Sequence, residues 1–413
     1  MTGSFEQNMQ RYADIIVQVG LNLQSGQRLV IEAPVETAPL VRFVAARAYQ
    51  AGARLVDVIF DDDQVTLARF QFAPRDSFEE DRVWMGRVLE EYGRSGNAFL
   101  KIKAEDPDLL KDQDPELVGQ YKRSYLKNRK AFNDLISQNV LNWCVVSAPV
   151  AGWAAKMFPN LAPDEREERL WQSIFDVCRL NQDDPLEAWK RHIQDLAARR
   201  DYLTHKGYSA LKYSAPGTDL TVGLPDGHVW RSGNLDSQGG ILFTPNLPTE
   251  EVFTIPHKDR VDGVVTSTRP LSYATTLIED FSLTFEAGRV VNLQAARGES
   301  ILRNLIETDE GTHRLGEVAL VPNSSPISQS GLMFYNTLYD ENAASHLAVG
   351  MAYQFTLRGG EEMSMEEFQA AGGNHSVNHV DFMVGSAQLD VDGICSDGNL
   401  EPIMRRGEWA FDL

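Results

Sequence analysis

The apolar positions of the first half of the chain switch repeatedly between two periods. Tyr12, Ile15, Ile16, Val19 and Leu23 recur at helical spacing, and the compact apolar run 28–33 that follows them is closed by Pro34. The same reading predicts a helix over 39–51, a strand over 54–60, a charged helix over 77–92, a strand over 98–104, a long basic helix over 116–136, a strand over 142–148 and two helices within 165–202. Helices alternating with short apolar strands predict a parallel or mostly parallel sheet with helices packed on its faces.

The texture changes near residue 205, beyond which short strands dominate. Strands are predicted at 221–224, 264–266, 282–285 and 289–291, with turn signals such as Pro225-Asp226-Gly227 and Glu286-Ala287-Gly288 between them. A helix is predicted over 342–352, followed by a strand-like stretch at 353–357. In 378–385 polar and apolar residues alternate, so His379 and Asp381 face one side of a half-buried strand while Val380 and Phe382 face the other. With no internal repeat, low-complexity tract or long linker, the pattern predicts an α/β protein of two lobes. Residues 1–204 form a mostly parallel α/β scaffold and cavity-wall lobe, and residues 205–413 an α+β lobe rich in β-strands.

Composition narrows the function classes. With 413 residues, 43% of them hydrophobic and 24% charged, the chain has the profile of a globular protein of more than one domain. Its formal charge of −20 repels phosphate backbones and anionic headgroups, which argues against nucleic acid and membrane as partners. Cys144, Cys178 and Cys395 are odd in number and widely spaced, so a reducing compartment fits better than a disulfide framework. The amino terminus lacks the basic start and apolar core of a secretory signal, and no window approaches a transmembrane run, so the cytoplasm is the expected location. Neither GxGxxG nor GxxxxGK[ST] occurs, which leaves the first lobe as scaffold, cavity wall or both.

Candidate chemistry gathers in the second lobe. His379 and Asp381 make a two-point clamp for a cation, although the pair alone more readily describes the wet face of an edge strand. His346 lies close to the acids Asp340 and Glu341, and Tyr353, seven residues on, shares its face if the helix extends that far. Glu250 and Glu251 lead into an apolar run, and Glu317 leads into another. A carboxylate entering such a strand is costly to bury unless something cationic meets it, and alternation lets only one of Glu250 and Glu251 face inward. His375, four residues before His379, sits in an expected loop and reads as a surface residue or one behind the ligands. No HExxH is present.

The segments NLPTEEVFT (246–254), GEVALV (316–321), LYDENAASHLA (338–348) and HVDFMVGS (379–386), together with GTDLT (217–221), resemble the thermophilic-type metallo-aminopeptidases, the aminopeptidase T, aminopeptidase II and aminopeptidase S group of peptidase family M29. The likeness runs over most of the chain. It implies a metal-dependent aminopeptidase that releases the amino-terminal residue of short peptides through a metal-activated hydroxide at a two-metal site in the carboxyl-terminal lobe. Glu251, Glu317, His346, His379 and Asp381 fall on the family's metal-ligand positions, with Glu250 replacing Glu251 if the register is one residue off. Tyr353 falls beside the metals, and Glu341 is a candidate catalytic carboxylate. On an ideal helix Glu341 would stand about 140° from His346, so its role requires an irregular helix start. Mixed Glu, Asp and His ligation suits two zinc, cobalt or manganese ions rather than calcium, with Glu317 as the bridging carboxylate. The resemblance further implies a homodimer. Two other readings are a metallohydrolase of another small amide and a non-catalytic metal-binding module on the same fold.

Overall fold

The structure, a computed structural model, describes residues 4–80, 83–273 and 276–413. The chain divides into two compact units, one of Met1–His192 with Asn234–Pro248 and the other of Ile193–Gly233 with Thr249–Leu413. The division falls at 192/193, inside the last helix of the first half, where the texture of the sequence suggests 204/205.

In the first unit the strands β1 (Arg28–Pro34), β2 (Leu55–Asp61), β3 (Ala98–Lys103) and β4 (Trp143–Ser147) form a parallel sheet in the order β2-β1-β3-β4. Six of the seven residues of β1 are buried, the continuous burial expected of a central strand covered on both faces. The helices are α1 (Phe5–Ile15), α2 (Ala38–Gln50), α3 (Asp63–Phe72), α4 (Val83–Arg94), α5 (Pro115–Ser137), α6 (Ala151–Met157), α7 (Pro163–Val177) and the start of α8 (Pro185–Lys206), which runs on into the second unit. Their starts are chemically marked. Ser4 and Gln7 make a reciprocal capping box at α1, and Asp114 caps α5 ahead of Pro115. The charged helix expected over 77–92 is a 3₁₀ turn, Arg75–Glu79, and α4, and Asp81 and Arg82 between them lie outside the described residues. Leu89 of α4 and Phe132 and Leu135 of α5 pack with Val30 and Phe99 of the sheet. A buried ion-pair cluster sits inside this unit: Glu32 of β1, held by Lys101 Nζ at 2.6 Å and by the buried Arg129 Nη2 at 2.8 Å. Burial pushes its carboxyl up, and the two cations outweigh that and bring it below the usual range. Val150 and Trp153 are buried in the unit's interior.

The hairpin β8 (Leu235–Asp236) and β9 (Leu242–Phe243) also belongs to the first unit. The second unit holds β5 (Ala210–Ala215), β6 (Thr218–Gly223), β7 (Arg231–Ser232), β10 (Val252–Thr254), β11 (Val261–Thr266), β12 (Leu271–Tyr273), β13 (Thr276–Glu286), β14 (Arg289–Arg297), β15 (Leu315–Leu320), β16 (His346–Gly350), β17 (His379–Met383), β18 (Asp390–Ile394), β19 (Leu400–Arg405) and β20 (Glu408–Trp409). They make two antiparallel sheets. One is nine-stranded, ordered β12-β13-β11-β6-β5-β18-β19-β20 with β14 on β13, and the other is five-stranded, ordered β17-β16-β15-β10-β7. Val252, Val318, Leu320, Leu347, Val349 and Phe382 of the five-stranded sheet share one core with Leu211, Tyr213, Leu220, Val222, Phe281, Leu283 and Val391 of the larger one. Each such side chain contributes about 1.5–3 kcal/mol on burial.

Two expected elements are wrong. Residues 346–350 are a strand, not part of a helix over 342–352, and Glu341–Ala343 is a 3₁₀ turn. The stretch 353–357 is not a strand either: Tyr353 has an extended backbone but precedes a second 3₁₀ turn, Gln354–Thr356. All five residues of β16 are buried, so the segment shows neither a clean period of two nor one of 3.6. Its pairing with β15 and β17 decides the conformation. No helix among the described residues is long and apolar enough to cross a membrane.

Candidate metal centre

The face of the five-stranded sheet turned away from that core carries the chemistry, and its strands β15 and β16 are buried throughout. Along β15, β16 and β17 the residues Val318 and Leu320, Leu347 and Val349, and Phe382 enter the core. By alternation Glu317, His346 and Asp381 point the other way. Register brings them together: Ala319 pairs with His346, Glu317 with Ala348, and Ala348 in turn with Asp381. Ala319, Ala348 and Gly350 are small, which leaves room above the sheet between the longer polar side chains.

A bulge aims Glu317. The β15–β16 register shifts between Leu315 and Glu317, so Gly316 is the extra residue that turns the carboxylate onto its partner strand. Only glycine fits there, because a Cβ on Gly316 would lie 2.2 Å from the Met351 carbonyl oxygen and 2.4 Å from that of Gly350. Gly350 itself has φ +106°, and a Cβ there would lie 2.1 Å from the Asn378 oxygen.

His346 Nε2 lies 3.2 Å from Glu251 Oε2 and 3.5 Å from Glu317 Oε1, and His379 Nε2 lies 4.0 Å from Glu317 Oε2 and 3.4 Å from Asp381 Oδ1. Two three-residue groups result, Glu251 with Glu317 and His346, and Glu317 with His379 and Asp381, each with its ligand atoms within 4.8 Å of one another. Glu317 belongs to both and offers a different oxygen to each imidazole. Glu250 joins neither group. It is buried, and its N–H donates to Asn342 Oδ1 at 2.8 Å. Both rings are oriented from behind, His346 Nδ1 by the Ala344 oxygen at 3.1 Å and His379 Nδ1 by the Met351 oxygen at 2.7 Å. A carbonyl only accepts, so Nδ1 carries a proton in both rings, and Nε2 is the nitrogen of each that faces the acids and would ligate a cation once deprotonated.

The electrostatics are those of carboxylates in excess. Burial opposes charge on His346, yet Glu251 and Glu317 raise its pKa well above the ordinary imidazole value. His379, also opposed by burial, is pushed up to about 10 by Asp381 and Glu317. Burial raises the Glu317 carboxyl, and burial together with the charges of Glu251 and Asp381 raises Glu341 well above the usual range. Asp381 goes the other way, because its imidazole neighbours outweigh burial. The Tyr353 hydroxyl is pushed up by burial and by the charges of Glu317, Asp381, Glu341 and Glu251. Its ring lies 4.9 Å from that of His379 and stacks on Phe355 at 5.2 Å.

These residues fit a divalent cation. The donor set is the mixed carboxylate and imidazole ligation that zinc, cobalt and manganese accept, Nδ1 of both rings is tied back, and the buried Asp381 Oδ1 has no hydrogen-bond partner. His375 lies exposed in the loop before β17 and joins neither group.

Supporting residues emerge that the sequence pattern did not single out. Asn342 fixes the Glu250–Glu251 backbone. Asn374 donates to the Gly311 and Gly350 oxygens at 2.7 and 2.6 Å, and Asp309 accepts from Val377 N and the Ser376 hydroxyl, tying down the loop that leads to His379. Burial raises Asp309, but these hydrogen bonds prevail and bring it to about 2. Each is a polar residue in an irregular segment, where one sequence carries no periodic signal.

Comparison with known proteins gives the family. Residues 5–409 match the family model described as thermophilic metalloprotease (M29). The chain is 47% identical over 408 residues to aminopeptidase AmpS of Bacillus subtilis, covering 99% of this chain and 100% of that one, and 46% identical to aminopeptidase 2 of Geobacillus stearothermophilus, with 99% of each covered. The structure of wild-type AmpT from Thermus thermophilus superposes with a TM-score of 0.93 at 42% identity, over 99% of this chain and 100% of that one. Sheet, ligand-like side chains and relatives converge, and the chain belongs to the M29 family of thermophilic metalloproteases.

Proposed function

We propose that the chain is a metal-dependent aminopeptidase that releases the amino-terminal residue of short peptides at a two-metal site. The observation that carries this reading is the Glu317 carboxylate, which reaches toward His346 with one oxygen and toward His379 with the other. Glu251, Glu317 and His346 would hold one cation, and Glu317, His379 and Asp381 the other. Bound zinc, cobalt or manganese supplies Lewis-acid polarisation of the scissile carbonyl and lowers the pKa of water.

The chain's own residues do the rest. Glu341 lies on the 3₁₀ turn beside β17, its backbone N–H bonded to the Thr337 and Tyr339 oxygens, and its side chain is the carboxylate that takes a proton from the attacking water and returns it to the leaving amine. Tyr353 donates its phenolic hydrogen to the oxyanion of the tetrahedral intermediate. The uncovered acids of the site receive the substrate's free amino terminus, which makes the enzyme an exopeptidase. We assign catalysis to the carboxyl-terminal unit and a scaffold role to the amino-terminal one. The proposal extends to a cytoplasmic homodimer, with nucleic acid and membrane disfavoured as partners by the charge of −20.

Metal content decides it. The wild type should hold two divalent ions per chain, Asp381→Ala one, and Glu317→Ala fewer than one, with peptide turnover lost in both variants. Two ions retained by Glu317→Ala, or turnover by metal-free wild type, would end the proposal.

A further inference from the structure

A cation stands on the same face as the candidate ligands. Arg231 of β7 pairs with Phe253, Phe253 with Ala319, and Ala319 with His346, so one row of residues crosses the sheet from β7 to β16. Directly paired residues share a face, which sets the guanidinium and the imidazole above one surface. Contacts trace the same path. Arg231 Nε donates to the Phe355 oxygen at 2.8 Å, and Nη2 donates to that oxygen too. The guanidinium carbon is 5.8 Å from the Phe355 ring, Phe355 stacks on Tyr353, and Tyr353 touches His379. Two aromatic rings therefore line the way from His379 to Arg231, with Phe253 6.3 Å from Phe355 beside them.

One edge of the guanidinium fork pins a carbonyl. Among the described residues Nη1 makes no hydrogen bond and no carboxylate comes within ion-pair distance; Glu361 and Arg200 act on the guanidinium only from farther away. A half-buried guanidinium with a free edge matches a carboxylate ligand. Length selects which one. Three strand spacings put β7 about 14 Å from β16. With side chains reaching in from both ends, the remaining gap suits two or three residues at about 3.3–3.6 Å each.

We infer that Arg231 binds the terminal carboxylate of a di- or tripeptide whose amino end lies at the candidate metal centre, so that it determines both the length preference and the preference for a free acid. The inference rests on the aminopeptidase reading above. Tyr353, Phe355 and Phe253 form the apolar wall along which the substrate's side chains lie.

The test compares kcat/KM on a tripeptide, its carboxyl-terminal amide and an aminoacyl anilide. The wild type should prefer the acid to the amide at least about tenfold, the scale of one hydrogen-bonded charge. In Arg231→Gln the ratio should fall to about one, with the loss in KM for the acid, and Arg231→Lys should restore part of it. A structural role alone would move acid and amide together. An acid-to-amide ratio near one in the wild type, with the anilide still cleaved, overturns the Arg231 assignment and leaves the aminopeptidase standing, as does full preference retained by Arg231→Gln. The wild-type ratio decides even if Arg231→Gln fails to fold. No amino-terminal release from any of the three substrates overturns the aminopeptidase reading and this inference with it.

Discussion

A carboxylate that faces two imidazoles through different oxygens is expensive to bury, and Glu317 is buried. Without a cation, the groups among the described residues that meet its charge are His346 and His379, whose pKa values rise in response. On the proposed reading, a divalent ion in each group would reverse that balance: the imidazoles would bind as neutral ligands and the carboxylates would ionise. Tyr353 is held by two rings, His379 and Phe355, so removing its hydroxyl leaves the packing intact. Tyr353→Phe should therefore fold and bind metal normally while kcat falls by roughly 10² to 10³, the usual effect of losing an oxyanion donor. Steady-state kinetics on a dipeptide checks this, and an unchanged kcat removes the tyrosine from the chemistry.

At the scale of elements, each half uses its strands differently. The five-stranded sheet spends one face on the core and the other on polar side chains, and the bulge at Gly316 sets which way Glu317 turns. The parallel sheet is buried on both faces at β1 and collects acids past its strand ends: Asp61 ends β2 and Asp63 opens α3. Burial raises Asp63 to about 6, the Asp106 N–H bond only partly opposing, and Asp61, Glu105 and Glu36 add to the rise. The unfolded value is about 3.9, so protonation favours the folded state. This contribution is fully present below about pH 4 and is lost as pH rises through 6. Asp63→Asn, which keeps an acceptor for Asp106, should raise the melting temperature at pH 7 to 8 and change it little at pH 4. Equal shifts at both pH values would show that the charge of Asp63 is not the cause.

For the whole molecule, the excess of carboxylates makes metal binding a source of stability. A ligand that binds only the folded chain adds about 2.7 kcal/mol at a free concentration of 100 times its Kd. Chelation should lower the melting temperature of the wild type, and zinc, cobalt or manganese should restore it. Glu317→Ala, which removes a member of both groups, should show almost no metal-dependent shift. Scanning calorimetry with and without chelator measures both, and a wild-type melting temperature indifferent to metal would mean that the acids are accommodated some other way.

Local pattern was enough for the helix and strand alternation of the first half, the strand at His379 and Asp381, and the residue types of a metal site, because each depends on the period of a single segment or on a motif. The family followed from four separated motifs for the same reason. His346 was legible as a candidate ligand but not as part of a strand, since 346–350 is buried on every side and its conformation comes from β15 and β17 rather than from its own period. Which of Glu250 and Glu251 faces His346, how Glu341 leaves a helical path, and the presence of Asn342, Asp309, Asn374 and Arg231 around the site were decided by tertiary structure alone. Hydrogen bonds and strand register join residues scores of positions apart in the chain, and no local spacing records which partners they will meet.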